Sequence, residues 1–213
     1  MVSSQFLRRI CAKADYEYQS HERLASGARS STYLVETSDE QIVLKKGNVE
    51  YDVEQEFSML DTVDGLAPRP IQWGNHRFPW ILMEYVTGEH PSDFDENFAD
   101  RMASFYTELH DTTRTSKPTY RYEEMMRKNV LNRYTKNRGD LPDQLSSQWD
   151  VVFDSAGSAL KPFTRDDRVV IHSDPNPDNI LFGENTCLVD WEHARFDIPE
   201  WDIAMFLNKY EFM

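Results

Sequence analysis

Two hydrophobic periods alternate along this chain, and the change from one to the other divides it. Residues 31–36, STYLVE, and 41–46, QIVLKK, are short β-rich runs joined by the turn-forming stretch TSDE at 37–40, so a hairpin is predicted. The run LASGARSS just before it reads as a small-residue loop feeding the first strand. Between 49 and 62 the period lengthens, with Val49, Val53, Phe57 and Leu60 on one side of a helix. APRP ends that helix, and WILMEYV supplies another strand. Beyond Tyr85 the helical period dominates. FADRMASFYTELH places Phe98, Met102, Phe105, Tyr106 and Leu109 on one face, and weaker helical patterns run over 121–134 and 144–160. The pattern breaks near Glu84–Gly88, which predicts an α+β protein of two lobes, residues 1–84 and 85–213.

The helical part is interrupted by one short stretch with a different character. Val169, Val170 and Ile171 form an apolar strand, and IHSDPNPDNILF follows with prolines at 175 and 177 that forbid regular structure in the bend. Ile180-Leu181-Phe182 and Cys187-Leu188-Val189 then read as a second hairpin turning through 183–186. A turn centred between residues 184 and 185 sets Asn179 opposite Asp190. Directly opposed residues have Cα atoms roughly 4.5–5.5 Å apart, so two oxygen donors meet where a hard divalent cation and phosphate oxygens could share them. Asp174, on the near side of the same bend, is placed to orient a hydroxyl and accept its proton. The same Asp-Pro-Asn-Pro-Asp run also builds an ordinary capped turn with no function, and the opposed Asp190 is what favours chemistry.

Composition narrows the class. At 39% hydrophobic and 13% aromatic the chain holds enough apolar material for a packed interior and no case for disorder. No run is long and apolar enough for a signal peptide or a membrane span, so a cytoplasmic protein without a membrane partner is expected. Cys11 and Cys187 lie far apart, outside any metal-ligand spacing, and are expected as buried thiols. The formal charge of −14 argues against nucleic acid as a partner. It leaves open a solvated acidic surface suited to high salt, or attraction of a cationic substrate.

His172-x-Asp174-x4-Asn179 followed by Asp190-Trp191-Glu192 resembles the catalytic and metal-binding segments of the aminoglycoside phosphotransferase and choline kinase superfamily, relatives of the protein kinases. The trailing PEWDIAMF is similar to that family's continuation, in which an Asp, here Asp202, is structural; SGARSSTYLV resembles its nucleotide loop, VLK its phosphate-lysine strand and MEYV its hinge. The resemblance implies a two-lobed, protein-kinase-like fold: a β-rich N-terminal lobe with one main helix, and a helical C-terminal lobe. It implies Asp174 as base, Asn179 and Asp190 as magnesium ligands, and Lys45 on the phosphates with Glu56 as its partner. Helical spacing independently borders Glu56 on the buried stripe and turns Glu50 and Glu54 away. Lys46 rivals Lys45, but strand alternation puts the two on opposite faces. Backbone groups of Glu84 and Val86 would read the adenine, Gly27 would admit the phosphates closely, and Ser30 or Ser31 would donate to them. His172 is expected to brace the loop, and His110 to be a buried hydrogen-bonder.

The implied function is transfer of the γ-phosphoryl group of ATP, with GTP as the alternative, to a hydroxyl of a small molecule with magnesium as cofactor. Trp191, Glu192, Asp197, Glu200 and Trp201 gather acids and aromatics after the metal ligand, which suits a cationic amino alcohol or aminoglycoside, or simply a packed corner. Two rival readings are a protein kinase, disfavoured by the short connection between Asp190 and PEWDIA, and a nucleotide-binding scaffold weakened in catalysis. The chain stops at Met213 where the resembled family usually continues with further helices, so an open acceptor site, one completed by a partner, or weakened activity is expected, with the helices between 95 and 162 carrying more of the acceptor recognition.

Overall fold

The structure, a computed structural model, describes residues 2–26, 30–48, 51–115, 132–140, 142–159 and 168–210. These fall into two compact units, residues 1–114 with 169–213, and residues 115–168. The larger unit is built on a five-stranded antiparallel sheet made of β1 (Tyr18–Ser26), β2 (Ser30–Thr37), β3 (Gln41–Gly47), β4 (Pro70–Gly74) and β5 (Trp80–Glu84), in the order β1-β2-β3-β5-β4. Successive residues of β3 and β5 face opposite sides, and each side has its own core. Ile42, Leu44, Trp80 and Leu82 pack under helix α1 (Ser4–Lys13) with Phe6, Leu7 and Ile10. Ile81 and Met83 face helix α2 (Val53–Thr62) and its Val53, Met59 and Leu60. Lys45 shares that second side, which is what carries it toward α2.

Below the sheet runs α3 (Glu96–Thr112), started by Asp95, whose side chain accepts from Phe98 N at 2.9 Å. Its buried stripe is Phe98, Met102, Phe105, Tyr106, Leu109 and His110, the predicted face with one histidine added. The smaller unit contains α4 (Asn132–Asn137) and α5 (Asp143–Ala159), with Arg138 Nε donating to Asp150 Oδ1 at 3.0 Å. Most of the helix expected over 121–134 lies outside the described residues; its last residues open α4, and the helix expected over 144–160 is α5. The chain then forms β6 (Val169–Ile171), β7 (Ile180–Phe182), β8 (Thr186–Leu188), β9 (Arg195–Asp197) and α6 (Glu200–Tyr210). β6 pairs with β9, and β7 with β8, in two small antiparallel ribbons. Among the described residues no helix is long and apolar enough to cross a membrane.

The α+β arrangement is the expected one, with corrections. The N-terminal region has a second helix, α1, on the side of the sheet opposite α2, and Leu24–Ser26 belong to β1 rather than to a loop. The second hairpin is one residue out of the predicted register. Phe182 pairs with Thr186 and Ile180 with Leu188, so the loop is three residues long, closed by Gly183 N donating to Asn185 O at 3.1 Å. Asn179 therefore faces Val189, whose N–H it accepts at 2.8 Å, and Asp190 lies one step beyond.

Candidate active site

Asp190 reaches the site by backbone conformation instead of cross-strand opposition. Its φ of 65° and ψ of 62° are left-handed, a state that carboxylate and amide residues tolerate better than most. That turn sends its carboxylate back over the sheet, where Lys45 Nζ donates to Oδ1. Lys45 also donates to Glu56 Oε1 and Oε2 at 3.0 and 2.9 Å, and Glu192 Oε2 stands 3.3 Å away. The Tyr51 ring lies 5.0 Å from the same nitrogen, and its hydroxyl donates to Glu56 Oε2. Gly47 makes room for that ring: a Cβ there would sit 2.0 Å from Tyr51 Cδ1. Burial alone would depress the Lys45 ammonium, but the carboxylates of Glu56, Asp190 and Glu192 outweigh it and raise the lysine above its usual value. Lys46, the rival, lies over the Phe78 ring at 4.6 Å and takes no part.

The loop between β6 and β7 supplies the other half. Asp174 Oδ2 accepts from Asn179 Nδ2 at 2.9 Å, Asp174 O accepts from the same nitrogen at 3.2 Å, and Oδ1 accepts from Asn176 Nδ2. Both Asn179 partners are acceptors, so the amide nitrogen is fixed toward them and Oδ1 is left as its donor atom for a ligand. Asp202, fully buried at the start of α6, accepts from His172 N at 3.1 Å, Ser173 N at 2.8 Å and His110 Nε2 at 3.1 Å. The His172 ring accepts from Asp174 N through Nδ1 at 3.3 Å and donates from Nε2 to Val189 O at 3.0 Å. Those two partners define a neutral ring, and burial lowers its pKa below the ordinary histidine value. His172 is thus bonded within the loop it is expected to brace, and His110 is the buried hydrogen-bonder expected.

A cavity of about 650 Å³ lies between the sheet and this loop. Leu24, Val43, Met83, Leu181 and Val189 give it apolar walls, and Glu84, Tyr85 and Val86 form one edge. Lys45, Glu56, Asn179 and Asp190 line its polar end, together with Ser30. Its size falls in the range of small-ligand sites, roughly 300–1,000 Å³. Asp174 adjoins the cavity through Asn179 rather than lining it. Ser31 is not among the lining residues, and its hydroxyl accepts from Arg23 Nη2 at 3.1 Å. Gly27 lies outside the described residues.

Sequence reasoning missed Tyr51, whose ring and hydroxyl close the lysine pair, and His90, which lines the cavity while its Nδ1 contacts Ile180 O at 3.0 Å. The sequence groups Glu192 with Trp191, Asp197, Glu200 and Trp201 as a cation-binding or packed corner, and in the structure this chain's own cations take Glu192, Asp197 and the Trp201 ring. Trp191 is fully buried, with its ring edge-on to His172, Glu192 turns to Lys45, and Asp197 accepts from Arg195 Nε at 3.1 Å. The packed reading holds for Trp191, whose indole N–H is satisfied internally by Leu188 O at 2.7 Å, whereas Asp197 is buried rather than solvated. Cys187 is a buried thiol pushed up to about 12 by burial, and Cys11 is likewise buried and raised.

One ammonium against three carboxylates leaves an excess of negative charge at the polar end of the cavity. Among the described residues no three His, Cys, Asp or Glu side chains gather as a closed metal site. An Asn Oδ1 and one carboxylate with open positions fit a hard divalent ion that keeps its waters and shares phosphate oxygens.

A sheet with a lysine–glutamate pair, an apolar cleft and an acid–amide loop beneath it is the arrangement of phosphoryl-transfer enzymes with a kinase-like fold. The phosphotransferase enzyme family matches residues 20–212, and the chain belongs to that family. Solved structures agree in fold. The aminoglycoside phosphotransferase APH(4)-Ia, in complex with AMP-PNP and hygromycin B, superposes with a TM-score of 0.73 at 13% identity, covering 99% of this chain and 78% of that one. Spectinomycin phosphotransferase APH(9)-Ia, with ADP and spectinomycin, gives 0.61 at 15% identity over 97% and 74%. An aminoglycoside phosphotransferase from Alicyclobacillus acidocaldarius gives 0.57 at 19% identity over 89% and 67%. No functionally curated protein matches the sequence.

Proposed function

We propose that this protein transfers the γ-phosphoryl group of ATP to a hydroxyl of a small molecule, with residues 1–84 as the nucleotide lobe and 85–213 as the catalytic and acceptor lobe. The observation that carries the reading is the closure of Lys45 onto both Glu56 and Asp190 within the cavity that Asn179 also lines. In this reading the adenine lies along Glu84–Val86 between Val43 and Leu181, and its phosphates point to Lys45. The structural relatives in complex with AMP-PNP or ADP support a nucleotide as the ligand. Asn179 Oδ1 and Asp190 would hold magnesium, which when bound neutralises phosphate charge. Lys45 fixes the phosphates, with Glu56 and Tyr51 holding the ammonium in place. Asp174 orients the attacking hydroxyl and takes its proton, its carboxylate aimed by Asn176 and Asn179.

For the acceptor we infer a cationic amino alcohol or an aminoglycoside. The relatives that bind hygromycin B and spectinomycin support this class, and the charge of −14 would draw in a cation. The Trp191–Trp201 corner plays no part in that inference. ADP release with aminoglycosides, amino alcohols and neutral sugars in turn identifies the acceptor, and a preference for neutral sugars would defeat the cationic class.

Calorimetry tests the nucleotide half directly. Asp190→Ala is expected to weaken ATP binding with magnesium by roughly tenfold or more while leaving binding with EDTA little changed. Equal affinity for the magnesium complex in wild type and variant would remove Asp190 from the metal site.

A further inference from the structure

The loop of residues 172–179 is fastened to α6 at two points, and the second is unused by the chemistry proposed above. Near the start of the helix Asp202 takes the backbone of His172 and Ser173. At its last residue the Tyr210 hydroxyl donates to Pro175 O at 2.6 Å. The two anchors stand about 12 Å apart along the helix axis. Pro175 has no N–H, so this carbonyl is the only backbone polar group it offers. The Tyr210 ring is itself held firmly: Phe94, Phe98 and Phe206 have centroids 5.1, 4.9 and 4.9 Å from it.

We propose that Tyr210 is a positioning residue for phosphoryl transfer: its hydroxyl, acting through the Pro175 carbonyl, sets where the Asp174 carboxylate stands. Asp174 directly precedes Pro175, and Asn176 and Asn179 bond its two carboxylate oxygens. A displacement at Pro175 therefore moves the acid and its amide partners together. Only a protonated phenol can donate to a carbonyl. Burial first, then the carboxylates of Asp174 and Asp178, push Tyr210 up to about 12, so the donor keeps its proton across the neutral range. The role of Asp174 on which this rests is the one proposed above; the strap itself is a matter of loop geometry.

Tyr210→Phe keeps the ring in its aromatic cluster and removes only the hydrogen bond. Amide hydrogen exchange of peptides spanning 173–179 is expected to quicken on the order of tenfold, and kcat to fall on the order of tenfold with KM for ATP unchanged. Ile10→Val, in the core under α1, serves as a control that loses stability far from the loop and alters neither readout. Unchanged exchange in Tyr210→Phe overturns the strap. Quickened exchange with unchanged kcat overturns the positioning role. Should the wild type release no ADP, the phosphotransfer reading fails by itself, and the exchange measurement still decides whether Tyr210 orders the loop.

Discussion

Lys45 is nearly dry, and its free energy is set by the three carboxylates around it. A buried ion pair is weak evidence of stability in itself, because desolvation offsets most of the attraction, but removing one partner is costly. Lys45→Met is expected to destabilise the protein by about 3–5 kcal/mol, since Glu56 is then left buried without its cation. Adding Glu56→Leu recovers only part of this, because the Tyr51 hydroxyl loses its acceptor. A urea midpoint for Lys45→Met equal to that of wild type would mean that the pair carries no such burden. The pair was legible in the sequence: strand alternation separates Lys45 from Lys46, and helical spacing separates Glu56 from Glu54. Tyr51 was not, because no periodicity tells a residue in a connection which glycine it will pack against.

At the scale of elements, the loop 172–179 is held by α6, by β9 through Arg195 Nη1 donating to Ser173 Oγ at 2.8 Å, and by its own His172. His172 is fully buried with both ring nitrogens engaged, so its charged form is disfavoured in the folded protein. The folded pKa lies below the unfolded value of about 6.5, hence the unfolded chain binds the proton more readily. The contribution is complete above that pH and is lost as the pH falls below it. The urea midpoint is expected to decline below about pH 6.5, and more shallowly in His172→Phe. Parallel declines would show that other groups govern acid unfolding. The motif residues of this loop were readable because they lie close in sequence. The register of the hairpin was misjudged by one because four turn-forming residues accept two centres, and only packing chooses between them. β9 and the Tyr210 contact escaped notice because their partners lie more than twenty residues away and three-residue strands carry little pattern.

Taken as a whole, the molecule places a sheet-bound lysine, an acid–amide pair and an apolar slot around one cavity, in a chain whose family transfers phosphoryl groups. The charge of −14 makes ionic strength a condition of any assay, since self-repulsion is screened as salt is added. The fold and the residues of the proposed nucleotide site stand on local patterns the chain displays openly. The acceptor class does not, because the acids and aromatics that follow Asp190 in sequence are taken up by this chain's own groups, Trp191 by the core and Asp197 by Arg195. Incubation of the wild type and Asp174→Asn with magnesium and ATP labelled at the γ position, over a panel of hydroxyl acceptors and salt concentrations, puts the mechanism to the question. Label is expected to move to an organic acceptor with wild type, with transfer reduced roughly 100- to 10,000-fold in Asp174→Asn while both proteins bind the nucleotide equally. Equal transfer by the two proteins, or no transfer by a wild type that binds ATP under every condition, would contradict it.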